Sequence, residues 1–176
     1  MTNTLRVSML LALAMLLSGA CQPAGDADAG ADAGEQAVDL LHLAEHVCTH
    51  FQTGTPHAVT ASASRDPGAD EVQIEHDVFA AGLVAFEGDQ GGYLRVVPSA
   101  AGHIAFFFNK DLPVAVEDDG GATLTVHEQL LQPSTCASIQ KIAVYELEAA
   151  SYYLKLGPSS ETAVDIVAEE AAHEHG

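Results

Sequence analysis

Between residues 35 and 51 the apolar positions recur with a helical period. Leu40, Leu43, Ala44, Val47, Cys48 and Phe51 fall at i, i+3, i+4, i+7, i+8 and i+11, which makes one apolar stripe along an amphipathic helix. Gly54 and Pro56 follow in the order that ends a helix, glycine near the C-cap and proline just beyond. After Pro56 the pattern changes to short β-like runs divided by Gly, Pro, Asp and Ser clusters. Strands are predicted near Ala58–Ser62, Val72–Phe86 (broken or bulged at Gly82), Tyr93–Val97, His103–Asn109, Val114–Val116, Thr123–His127, Ile139–Leu147, Tyr152–Leu156 and Ala163–Ala168. Turns are predicted at Asp89–Gly92, Pro98–Gly102, Asp118–Gly121 and Gly157–Ser160. Many short strands without α/β alternation predict a mainly β fold: an antiparallel β-sandwich or jelly roll with one N-terminal amphipathic helix packed on it. This single domain is expected over residues 35–170, with a His-rich tail at 171–176.

The residues before the helix read differently. An apolar run from Val7 to Leu17, interrupted only by Ser8, follows Arg6 and precedes Ser18-Gly19-Ala20-Cys21. The run is shorter than the ~20 apolar residues that a membrane-crossing helix needs, and its flanks are those of an export signal over residues 1–20. The string Leu17-Ser18-Gly19-Ala20-Cys21 resembles the lipobox of bacterial lipoproteins. That resemblance implies cleavage before Cys21, a thioether-linked diacylglycerol on its sulfur and an amide-linked acyl chain, hence a lasting membrane anchor. Gln22 stands where inner-membrane lipoproteins of this kind carry Asp, which implies the outer membrane, facing the periplasm or the cell surface. Residues 21–34 then form the lipidated cysteine and an acidic Ala/Gly/Asp tether too poor in apolar side chains to fold.

Charge narrows the partners. The chain has 6 Lys and Arg against 25 Asp and Glu, a formal net charge of −19, and loss of the signal with Arg6 makes the remainder one unit more negative. Such a field repels phosphate backbones and concentrates cations, so nucleic acid is excluded as a partner. With Cys21 lipidated, Cys48 and Cys136 are left as a pair in an oxidising compartment, and a disulfide between them is expected.

The unusual chemical inventory is histidine: nine, all after the signal. His42, His46 and His50 are one helical turn apart, roughly 200°, 240° and 280° around the helix from Leu40, on a ridge away from the apolar stripe. Two imidazoles at i and i+4 can share one divalent ion. His42 and His50 are about 12 Å apart along the axis, too far for one ion, so two overlapping half-sites result, each needing Glu45, His57 or a distant residue to complete it. The tail adds His173 and His175 beside Glu169, Glu170 and Glu174, a short metal-capture tract. Imidazole with carboxylate suits zinc, copper or nickel better than calcium or magnesium. His76, His103 and His127 are read as structural residues at strand ends.

Enzyme motifs are missing. There is no Gly-x-Ser-x-Gly elbow, phosphate loop or dinucleotide fingerprint, and His42-Leu43-Ala44-Glu45-His46 puts its glutamate at the wrong position for a zinc protease. Glu117-Asp118-Asp119-Gly120-Gly121 lacks the spacing of a dedicated calcium loop. The succession Gly92-Tyr93-Leu94, Ala101-Gly102-His103-Ile104-Ala105-Phe106 and Ser151-Tyr152-Tyr153-Leu154 resembles the bacterial pre-peptidase C-terminal domain, a small non-catalytic β-sandwich found beside secreted hydrolases. Ala149-Ala150-Ser151-Tyr152 stands in place of that family's Ala-Gly-Thr-Tyr turn, without its glycine. The resemblance implies a binding or accessory role. The expectation is therefore a non-enzymatic, membrane-anchored envelope lipoprotein that binds a divalent transition metal as buffer, sensor or delivery module. Its alternatives are an accessory module that binds another envelope protein without metal, and a carbohydrate-binding module using Tyr93, Tyr145, Tyr152 or Tyr153.

Overall fold

A computed structural model describes residues 39–171. Cys21, His173 and His175 lie outside the described residues, as do the export signal and the tether.

The helix, α1, runs Leu40–Thr53. Asp39 caps it, its carboxylate accepting the His42 backbone N–H at 3.1 Å, a contact typically worth about 1 kcal/mol. Its C-terminus closes as the Gly54 N–H donates to the His50 carbonyl at 2.8 Å. Leu40, Leu43, Ala44 and Val47 are buried, as the stripe requires.

Ten strands follow: β1 His57–Thr60, β2 Glu75–Gly82, β3 Val84–Phe86, β4 Asp89–Val96, β5 Gly102–Phe108, β6 Val114–Asp118, β7 Glu128–Leu131, β8 Lys141–Leu147, β9 Tyr152–Ser159 and β10 Ala163–Glu170. They form a six-stranded sheet in the order β1-β2-β10-β5-β8-β7 and a four-stranded sheet in the order β3-β4-β9-β6. The described residues are thus a mainly β, sandwich-like fold carrying one helix. All pairings are antiparallel except β1 with β2.

The centre of the six-stranded sheet is buried on both faces. Alternate residues of its central strands, such as Phe79, Phe106, Phe108 and Ile166, pack with Leu94, Val96, Leu154 and Leu156 of the four-stranded sheet. The intervening residues Val78, Phe107, Ile142, Val144 and Val167 pack with Leu40, Leu43, Ala44 and Val47 of α1. This double burial explains the unbroken run Phe106-Phe107-Phe108, each fully buried and each contributing roughly 1.5–3 kcal/mol by transfer from water. Cys48 of α1 is joined to Cys136, in the segment before β8, by a disulfide with 5.7 Å between Cα atoms.

Several boundaries differ from the sequence reading. The break expected at Gly82 is a change of sheet: β2 belongs to the six-stranded sheet and β3 to the four-stranded one. The turn expected at Asp89–Gly92 lies within β4 instead. The chain reverses at Glu87-Gly88, both at positive φ (51° and 93°), the two-residue hairpin geometry that matches strand twist. Gly91 is there for close approach, since a Cβ would lie 2.4 Å from the Leu156 carbonyl oxygen. The turn expected at Gly157–Ser160 begins later, because β9 continues to Ser159. In place of a strand at Thr123–His127 there is an isolated bridge from Thr123 to Glu117. The edge strand is instead β7, whose polar Glu128 and Gln129 hid it from a hydrophobic pattern search.

Candidate metal centre

Strand parity decides what meets the helix. In β2 Phe79 and Ala81 face the sandwich interior and Val78 faces α1, so His76, two residues from Val78, projects toward α1. In β10 Val167 faces α1, and Glu169 takes the same side. β2 and β10 are neighbours with Ala168 opposite Glu75, which sets Glu169 beside His76.

His46, His50 and His76 consequently converge. One potential ligand atom from each lies within 4.8 Å of the others, and ring centroids are separated by 5.1 Å (His46 and His50), 5.1 Å (His46 and His76) and 5.4 Å (His50 and His76). His46 Nε2 and His76 Nδ1 are 3.4 Å apart. Two nitrogens bound at 2.0–2.1 Å to one tetrahedral zinc ion stand about 3.3 Å apart, so this spacing needs little adjustment to hold a metal.

His76 Nδ1 is also 3.0 Å from Glu169 Oε2, whose side chain is only 3% exposed. A hydrogen on Nδ1 serves one of these neighbours well, not both. A divalent cation in the hydrogen's place would be attracted by the imidazole lone pairs and the carboxylate together. The donor set, three imidazoles backed by a buried carboxylate, is one that zinc, copper and nickel favour.

Protonation suits the same use. Burial first, then the neighbouring His46 and His76, hold the His50 imidazole below its ordinary value of 6.5, while Asp77 acts in the opposite sense. His50 is therefore neutral at pH 7 with a lone pair to offer. The site stays accessible: His46 and His76 are exposed and His50 half-buried.

Of the residues singled out in the sequence, the fold joins His46 and His50 in this cluster and leaves His42 outside it, one turn toward the N-cap. The third imidazole is His76 rather than Glu45 or His57, and His57 pairs with Asp77 at 3.5 Å. The rings of His103 and His127 stack at 4.3 Å. The sequence reading makes His76 a structural residue and groups Glu169 with the tail's donors, and so misses that the two meet beside α1. For Glu169 a signal existed, an acid directly after the apolar residues Ile166-Val167-Ala168, where a core side chain is expected.

Among the described residues no helix is long and apolar enough to cross a membrane. No protein-family model matches the chain, and no curated protein matches it.

Proposed function

We propose that this chain is a non-enzymatic envelope lipoprotein, anchored through Cys21, whose folded domain reversibly binds a divalent transition metal at His46, His50 and His76. The convergence of these three imidazoles from two separate elements carries the reading. A solvated face disperses its side chains, whereas here a helix and a strand bring neutral-capable ligands to one point over a buried carboxylate. In this proposal Glu169, whose carboxylate lies 3.0 Å from the same His76 Nδ1 that faces His46, supplies negative charge directly beside the ion. Three protein ligands leave a coordination position open to water or to an acceptor's ligand. That arrangement fits capture and delivery, and the acidic charge of the chain enriches cations around it.

The test is calorimetric titration of the untagged chain from Gln22 onward with Zn²⁺, Cu²⁺ and Ni²⁺, with His173 and His175 replaced by Ala to remove the tail's donors. One ion per chain with micromolar or tighter affinity is expected, weakened at least ~100-fold by His76→Ala and unaffected by His42→Ala. Absence of binding, or binding indifferent to His76→Ala, overturns the assignment.

A further inference from the structure

The chain also has an open groove of about 970 Å³, on the outer face of the four-stranded sheet. In β4 Leu94 and Val96 point into the core, and in β9 Leu154 and Leu156 do, so Tyr93, Arg95 and Tyr153 face outward and floor this groove. Sheet faces turned to water usually carry polar side chains. This one carries aromatic rings in edge-to-face contact: Phe86 against Tyr93 at 5.4 Å and Tyr93 against Tyr153 at 6.4 Å.

The walls are polar and charge-balanced. Arg65 and Arg95 are offset by Glu87 and Asp119, and Ser64 and Ser151 add hydroxyls. The guanidinium groups are held in place, Arg95 donating to the Pro67 carbonyl at 3.1 Å and pairing with Glu71 at 3.5 Å, and Arg65 pairing with Glu117 at 3.7 Å. On a chain of net charge −19, a groove with equal numbers of lining cations and anions is a departure. An anionic ligand would meet no net positive charge there, and a purely apolar one would strip water from the charged walls without giving hydrogen bonds in return. Phe86 and Tyr153 are buried and Tyr93 is half-buried, so Tyr93 presents the open ring, backed by the other two. What fits is an uncharged molecule with an apolar C–H face for that ring and many hydroxyls for the donors and acceptors around it.

We infer that this groove is a binding site for a neutral oligosaccharide. Its volume lies at the upper end of the ~300–1,000 Å³ typical of small-ligand sites, room for more than one sugar ring. None of its lining residues belongs to the histidine cluster, so the two sites stand or fall separately.

The chain from Gln22 onward, which retains every described residue, is applied to an array of neutral and acidic glycans. The tightest neutral oligosaccharide is then titrated into ¹⁵N-labelled protein. Saturable binding is expected, with amide shifts concentrated at Tyr93, Arg95 and Ser151 and unchanged by EDTA. Tyr93→Ala removes a ring face and weakens binding about tenfold or more. Because Tyr93 also packs against Phe86 and Tyr153, Ala85→Trp, a substitution at an exposed rim position, obstructs the groove without touching the core and is expected to weaken binding as strongly. No glycan bound, shifts mapping elsewhere, retention of acidic glycans alone, or full affinity in folded Ala85→Trp each overturns the inference.

Discussion

Replacing Cys48 and Cys136 together by Ala tests how far the metal centre depends on the covalent tie between α1 and the sheet. Alanine is the informative choice because Cys136 is buried among apolar side chains, where a serine hydroxyl would add a desolvation cost of its own. The disulfide spans a sequence separation of 88, and for a loop of that length the chain-entropy relation gives a loss of about 4–5 kcal/mol at 25 °C. With an unfolding entropy of about 2.1 cal/mol/K per residue over residues 39–171, that loss lowers Tm by roughly 15 °C. Urea and thermal melts of the two proteins, followed by far-UV circular dichroism, measure it. The site should suffer as well, because His46 and His50 flank Cys48 on α1 while His76 belongs to β2. Once the tie is cut, fewer molecules present all three imidazoles together, and zinc affinity falls. A stability loss under about 1 kcal/mol with unchanged zinc affinity would refute the reasoning. It would mean that Leu40, Leu43, Ala44 and Val47 fix α1 against the sheet by packing alone.

Three further outcomes are expected. Glu169→Gln keeps the shape of the side chain and removes its charge, and calorimetry should show zinc affinity weakened about 10–100-fold with the fold intact by circular dichroism. Without metal, His50 titrates lower in the folded than in the unfolded chain. Below pH ~6.5 the unfolded state thus binds more protons and stability falls as pH drops; the urea midpoint should fall less between pH 7.5 and 5 in His50→Ala than in the parent. Saturating zinc should raise Tm in proportion to the logarithm of free ion concentration, an increase abolished by His76→Ala and retained by His42→Ala.

The helix and its histidine ridge were legible because a 3.6-residue period separates faces within a single element: the apolar stripe named the buried side, and His46 and His50 followed on the other. His76 was not legible by the same route. Period 2 assigns faces in a strand only when one face is polar, and Val78-Phe79-Ala80-Ala81 is apolar on both because the six-stranded sheet is covered on both sides. Which of those residues would meet α1 depended on β2 pairing with β10 and β1, contacts between segments far apart in sequence. The edge strand β7 and the strand path through Gly91 and Gly92 escaped pattern reading for other reasons: the first is polar at an edge, and the second uses glycines for close packing where sequence rules expect a turn. What remained visible was chemistry out of place. A glutamate at the end of an apolar strand requires a compensating partner when buried, and Glu169 meets His76. Ionisable residues at the ends of doubly buried strands are therefore the positions to pair first with a solvent-side histidine ridge. Here that rule joins residues 46, 50, 76 and 169 into one candidate site.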